Sequence, residues 1–133
     1  MATKEFPLTP QDVPKVETEF RRIVTPLPVP DSVPILEKMR AAEPRSMGGQ
    51  PPLIWDGGEG ELIRDPYGNQ WIDFSAGVLV TASGHGHPRI IKAIQDMAGK
   101  GLYHAYCFPT DIRSRLAARI QGLLPEPLSR VFL

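Results

Sequence analysis

Several features that would place a chain quickly are missing. Among 133 residues there is one cysteine, Cys107. One thiol forms no internal disulfide framework, and such a chain is expected in a reducing, cytoplasmic compartment. No apolar run approaches the ~20 residues that cross a bilayer. The opening residues, Met1-Ala2-Thr3-Lys4-Glu5-Phe6-Pro7, lack the apolar stretch of a secretory signal, and Glu5, Asp12, Glu17 and Glu19 argue against a mitochondrial presequence. Charge of one sign is also lacking: 15 basic residues face 15 acidic ones, for a formal net charge of +0. That balance offers no electrostatic footprint for nucleic acid or an anionic membrane. There is no G-x-G-x-x-G and no G-K-S ending, so a phosphate-cradling nucleotide loop is not supported.

Proline is abundant, with 15 residues. Hydrophobic residues make up 41% and charged ones 23%, a globular balance. Thr9-Pro10-Gln11-Asp12 reads as a helix start, with Val16, Phe20, Ile23 and Val24 as a stripe at helical spacing. Thr25-Pro26-Leu27-Pro28-Val29-Pro30 predicts an extended crossing, since alternating prolines cannot continue a helix. Asp31 is the expected cap of a short helix through about Ala42, with Ile35, Leu36 and Met39 inward and Pro44 as the stop. Leu53-Ile54-Trp55, Glu61 to Arg64 and Gln70 to Phe74 read as three short strands. The last two are joined by the turn residues Asp65-Pro66-Tyr67-Gly68-Asn69, of which Gly68 and Asn69 tolerate positive φ. Alternation puts Trp71 and Asp73 on one side, Ile72 and Phe74 on the other.

Two helices are clearer. His87-Pro88 opens one, with Ile90, Ile91, Ile94 and Met97 on a shared face and Gly101 as its stop. Thr110-Asp111 caps the other, with Ile112, Leu116, Ile120 and Leu123 inward. Val131-Phe132-Leu133 reads as the start of a buried strand.

Three places invite chemistry. His85, His87, His104 and Cys107 give H-x-H and H-x-x-C pairs that zinc accepts. Against this, His87 sits at a helix cap, and His85 lies between two glycines where its ring can bond to backbone. Cys107 near His104 raises a thiolate nucleophile. A small buried apolar role is the stronger reading, because free cysteine is usually buried. Between Ser75 and Gly84, small residues flank Val78-Leu79-Val80. That pattern reads as a backbone passing close to something, followed by a β-like run, with one apolar side chain displayed.

Taken in order, Gly60, Asp65-Pro-Tyr-Gly-Asn, Trp71-Ile-Asp-Phe, Ser75-Ala-Gly-Val, Gly84-His-Gly-His-Pro and the Ala93-Ile94 helix resemble the class III aminotransferases of the ornithine and 4-aminobutyrate group. The resemblance covers Arg45 to Leu133 well; the Pro-rich arm before it is less specific. It implies an α/β enzyme of fold type I, α+β within this piece: a homodimer using pyridoxal 5'-phosphate to move an amino group from an ω-amino acid such as 4-aminobutyrate to a 2-oxo acid. Residues 1–52 would be the arm, 53–87 the small antiparallel sheet and Gly-rich crossing, and 88–133 the start of the large domain. Val78 and Cys107 would border the substrate. Where 4-aminobutyrate enzymes often carry glutamine, Cys107 cannot supply an amide's donors and acceptor. The Schiff-base lysine, the acid on the pyridinium nitrogen, the stacking aromatic and the phosphate loop all come later in the family. An N-terminal portion that is inactive by itself is therefore the expectation. A stand-alone binding or dimerisation module and the small zinc domain are the alternatives.

Overall fold

The computed structural model describes residues 5–102 and 107–133, without the side chain of Arg45. His104, part of the zinc alternative, lies outside the described residues. The chain forms two compact units, Met1–Ile90 and Ile91–Leu133.

The first unit is built on a five-stranded antiparallel sheet in the order β1-β2-β5-β4-β3. Its strands are β1 (Val16–Glu17), β2 (Arg22–Ile23), β3 (Gly57–Glu59), β4 (Leu62–Arg64) and β5 (Gln70–Ile72). β1 and β2 replace the helix expected after Thr9. The apolar positions Val16 and Ile23 fit either period, and pairing decides between them. Val16 stands opposite Ile23 and Glu17 opposite Arg22, and the four residues 18–21 close the hairpin. In that turn the Thr18 hydroxyl donates to the Arg21 carbonyl and accepts from the Arg21 N–H, at 3.1 and 2.9 Å. Upstream, Gln11 and Leu27 exchange both backbone hydrogen bonds at 3.0 Å, which leaves no helix start there. The Pro-rich crossing is free of helix from Thr25 to Val29, and its last proline, Pro30, already opens a 3-10 turn.

β3 also departs from expectation. Leu53, Ile54 and Trp55 are outside any strand, and the glycines after them pair instead: Gly57 with Arg64, Gly58 with Ile63, Glu59 with Leu62. The reason is closeness. A Cβ on Gly58 would stand 2.8 Å from both the His85 Cβ and the Leu62 carbonyl oxygen, so only glycine lets the edge strand lie there. β4 and β5 follow the sequence reading, shortened. Ile63 stands opposite Trp71, giving a cross-strand row Gly58, Ile63, Trp71. Gly68 adopts φ +93° in the connecting turn, but Asn69 does not adopt positive φ. Asn69 acts by hydrogen bonding instead. It is buried, its Oδ1 accepts from the Val24 N–H at 2.8 Å, and its Nδ2 donates to Thr25 Oγ1 and Asp65 Oδ2 at 2.8 and 2.7 Å. One side chain thus ties the β4–β5 turn to the chain 45 residues earlier. Among the described residues the buried apolar core is Ile23, Val29 and Ile63.

α1 (Val33–Ala42) follows a 3-10 turn at Pro30–Ser32. Ser32, not Asp31, holds the cap position, and neither caps with its side chain. The Ser32 hydroxyl turns back to the Val29 carbonyl at 2.7 Å. The helix ends before Pro44, with Glu43 extended at φ −91° and ψ 151°. Ile35 and Met39, expected inward, are exposed.

α2 (Ala76–Leu79) is a single helical turn. α3 (Pro88–Ala98) and α4 (Asp111–Gln121) match the two helices read from sequence. His87 Nδ1 accepts from the Arg89 N–H at 3.3 Å, and Thr110 Oγ1 from the Arg113 N–H at 3.3 Å, so both expected caps are present. Their apolar stripes are not buried: Ile90, Ile91, Ile94, Ile112, Leu116 and Leu123 are exposed. Val131-Phe132-Leu133 forms no strand, and Phe132 is fully exposed. A strand needs a neighbour to pair with, and no strand among the described residues pairs with this segment. No helix among the described residues is long and apolar enough to cross a membrane.

Candidate functional site

The sequence after β5 turns sharply. The strand ends at Ile72, so Asp73 leaves the alternation that would have paired it with Trp71. The Asp73 N–H donates to the Glu61 carbonyl at 2.7 Å, which keeps its backbone against the sheet. Its side chain is 3% exposed and accepts four hydrogen bonds. Oδ1 takes the Ser75 N–H at 2.9 Å and the Ser75 hydroxyl. Oδ2 takes the Gly77 N–H and His85 Nε2, both at 2.7 Å. A carboxylate offers only lone pairs here, so Nε2 carries the proton of the His85 bond. The Ser75 hydroxyl first, then His85 and the two backbone N–H groups, hold the Asp73 carboxyl well below the usual carboxylate range, against the opposing effect of burial.

His85 was expected to bond backbone with its ring. Its backbone does pair, with the Gly60 carbonyl at 2.7 Å and the Gly60 N–H at 2.9 Å, but its ring belongs to Asp73. Trp55 meets the imidazole edge-on, with ring centroids 5.8 Å apart. The Asp73 and His85 backbones are therefore anchored on adjacent residues, Glu61 and Gly60, of the tight turn between β3 and β4.

Beside this pair, with the Gly77 N–H on Asp73 Oδ2, the backbone is unusual. Ala76, Gly77, Val78 and Leu79 have φ of 49°, 60°, 62° and 67°. Helical hydrogen bonds run from the Leu79 N–H to the Ser75 carbonyl and from the Val80 N–H to the Ala76 carbonyl, both at 2.9 Å. α2 is thus one left-handed turn, not the start of a β-like run. Left-handed winding costs ~1–2 kcal/mol for each residue other than glycine, and a β-branched valine is among the worst placed there. Strain of this kind collects at functional sites and is kept only where the surroundings over-determine it. The turn displays its apolar residues outward: Val78 is 72% exposed, Leu79 88% and Val80 78%. Three side chains are shown where the sequence suggested one.

Cys107 is exposed, so the buried packing role does not hold. It lines a cavity of about 380 Å³ with Thr110, Arg113, Ser114, Val131 and Leu133, in the second unit, whereas Val78 belongs to the first. Of the zinc candidates, His85 is bound to Asp73 and His87 caps α3. No group of three or more metal-ligating side chains occurs among the described residues.

The signal for Asp73 was present in the sequence. Asp-x-Ser with glycine two residues on is an Asx-turn pattern. Nothing in it names the distant histidine as the fourth donor.

Residues 45–133 match the family model described as Aminotransferase class-III. The chain is 38% identical over 76 residues to the [LysW]-aminoadipate semialdehyde transaminase of Deinococcus radiodurans, a match covering 57% of this chain and 18% of that protein. It is 32% identical over 99 residues to the 5-aminovalerate aminotransferase DavT of Pseudomonas aeruginosa, covering 69% and 23%. Against the 4-aminobutyrate aminotransferase of Mycobacterium leprae the identity is 35% over 77 residues, covering 58% and 17%. The chain thus spans about a fifth of the length of these relatives.

Proposed function

Because this chain belongs to the class-III aminotransferases, we propose that it supplies the N-terminal portion of a pyridoxal-phosphate-dependent enzyme. That enzyme moves an amino group from an ω-amino acid to a 2-oxo acid, as a cytoplasmic homodimer. The observation that carries this reading is the family match over residues 45–133. The relatives named for 5-aminovalerate and 4-aminobutyrate support an ω-amino donor. In this reading residues 1–52 are the arm, 53–87 the small sheet with α2, and 88–133 the opening of the large domain. Val78 on α2 and Cys107 border the donor's carbon chain. Their exposure in this chain supports that reading, since a residue that meets substrate is not spent on the core.

The described residues do not fit the cofactor's aldehyde. Lys15, Lys38, Lys92 and Lys100 are all exposed, and Lys92 is held by Asp96 at 2.9 Å. A Schiff-base lysine needs desolvated surroundings, which none of these has. No chemical step is therefore assigned to this chain, and by itself it is expected not to transaminate.

The test is a segment exchange. The matching part of the Pseudomonas aeruginosa enzyme is replaced by this chain's, and the hybrid is assayed with pyridoxal phosphate, a 2-oxo acid and 4-aminobutyrate or 5-aminovalerate. Turnover by the hybrid and none by the 133-residue chain is the expected result. A soluble, cofactor-loaded hybrid without turnover of either donor counts against the reading.

A further inference from the structure

We propose that Asp73 and His85 are positioning residues: by sharing Asp73 Oδ2 between the His85 ring and the Gly77 N–H, they hold α2 in its left-handed winding and so set the direction in which Val78 meets the substrate. The part about substrate rests on the reading of α2 given above; the part about winding does not.

The turn's own hydrogen bonds do not choose its hand. The bonds from Leu79 to Ser75 and from Val80 to Ala76 span the same number of residues in either winding. Sterics favour the right-handed form for Ala76, Val78 and Leu79. Something outside the turn must therefore fix it. The Ser75 hydroxyl accepts from the Val78 N–H at 3.4 Å, but that hydroxyl is itself bonded to Asp73 Oδ1, so the described contacts converge on Asp73. Asp73 Oδ2 takes the Gly77 N–H from inside the turn at 2.7 Å. The same oxygen is fixed from the other side by His85 Nε2 at 2.7 Å.

Both partners are in turn fixed to the sheet, Asp73 through Glu61 and His85 through Gly60. The absence of a side chain at Gly58 is what admits the His85 ring, and Trp55 closes over its edge. The arrangement is a clasp of three points: one carboxylate oxygen, one imidazole and one glycine N–H. Val78 follows that glycine directly, so a change in the direction of the Gly77 N–H rotates Val78 with it. Neither Asp73 nor His85 needs to touch a substrate to act this way.

The test reads the hand of the turn without cofactor or substrate. In the isotope-labelled 133-residue chain, positive φ places each residue's amide proton close to its own Hα and gives a strong intraresidue signal. We expect this signal at Ala76, Val78 and Leu79 in the unmodified protein. His85→Leu should abolish it at Val78 while leaving the amide shifts of Ile63 and Trp71 in place. His85→Gln, whose amide nitrogen can reach Asp73 where Nε2 does, should restore it. Retention of the signal in His85→Leu overturns the proposal, because the turn would then hold its own hand. Failure of His85→Gln to restore it also overturns the proposal. So does loss of the Ile63 and Trp71 shifts in His85→Leu, which would make the pair a support of the whole sheet. A failed segment exchange changes none of these outcomes.

Discussion

The Asp73 carboxylate and the His85 imidazole meet at 2.7 Å across twelve residues of chain, with the carboxylate almost fully buried and the ring 16% exposed. Everything between them is irregular backbone and the left-handed turn. The pair closes this segment as a hydrogen-bonded loop, and its strength depends on the charge of Asp73.

That dependence has a sign. The folded Asp73 carboxyl ionises well below its ordinary value, so the unfolded chain binds the proton more readily. The stability it contributes is complete above the ordinary carboxylate range, about 3.9, and is lost as pH falls from there toward the lower folded value. Asp73→Asn should therefore be less stable than the unmodified chain at pH 7, and the gap should narrow below about pH 4. Urea unfolding of both proteins between pH 3 and 7 measures it. A gap that stays constant with pH would show that the carboxylate's charge plays no part.

The glycines of β3 make a second prediction, with its control one residue away. A Cβ on Gly58 meets His85 and the Leu62 carbonyl at 2.8 Å, whereas one on Gly57 meets nothing within 4 Å. Gly58→Ala should cost ~1–3 kcal/mol by overpacking. Gly57→Ala should be neutral or stabilise by up to ~1 kcal/mol, since it only narrows the unfolded ensemble. The two melting temperatures should move apart, and equal shifts would show that the His85 contact is not the cause.

Asn69 gives the third. Truncation to alanine leaves the part-buried Val24 N–H without its acceptor and Asp65 Oδ2 without one donor. At least ~1–3 kcal/mol should be lost. In urea the midpoint should fall with the slope unchanged, which marks a change in stability rather than in the surface exposed.

The parts of this fold that were legible in the sequence are the local ones. α3 and α4 were read from a cap and an apolar period, and both signals lie within a dozen residues. β4, β5 and their turn were read from Asp-Pro and Gly68. Parts fixed by distant partners were not legible. Val16 and Ile23 fit a helix as well as a hairpin until β2 pairs with β5, where Arg22 stands opposite Gln70. The β3 glycines carry no strand propensity at all, and a histidine 27 residues later explains why they are needed. The left-handed winding of α2 runs against the preference of three of its four residues, so local reasoning predicts the wrong backbone there. Failures of that kind are expected at functional sites, where local preference is overridden.

The last prediction separates two roles of Val78, and uses both the chain and the segment-exchanged enzyme. Val78 is strained at φ 62° and largely exposed, so its side chain contributes little packing to this chain. Val78→Gly removes the strain and should stabilise the chain by roughly 0.5–1 kcal/mol after glycine's own entropy cost. In the hybrid enzyme Val78→Gly and Val78→Phe should act in opposite directions. Opening the pocket should favour the longer donor, and filling it should exclude that donor. One methylene of misfit is worth ~1–3 kcal/mol in an apolar pocket, so the ratio of kcat/KM for 4-aminobutyrate to that for 5-aminovalerate should move by tens to hundreds of times between the two variants. A ratio that stays fixed while the glycine variant gains stability would place Val78 outside the pocket and leave its strain unexplained by substrate. A moving ratio with the expected gain in stability would show that the valine is kept for selectivity at the expense of the fold.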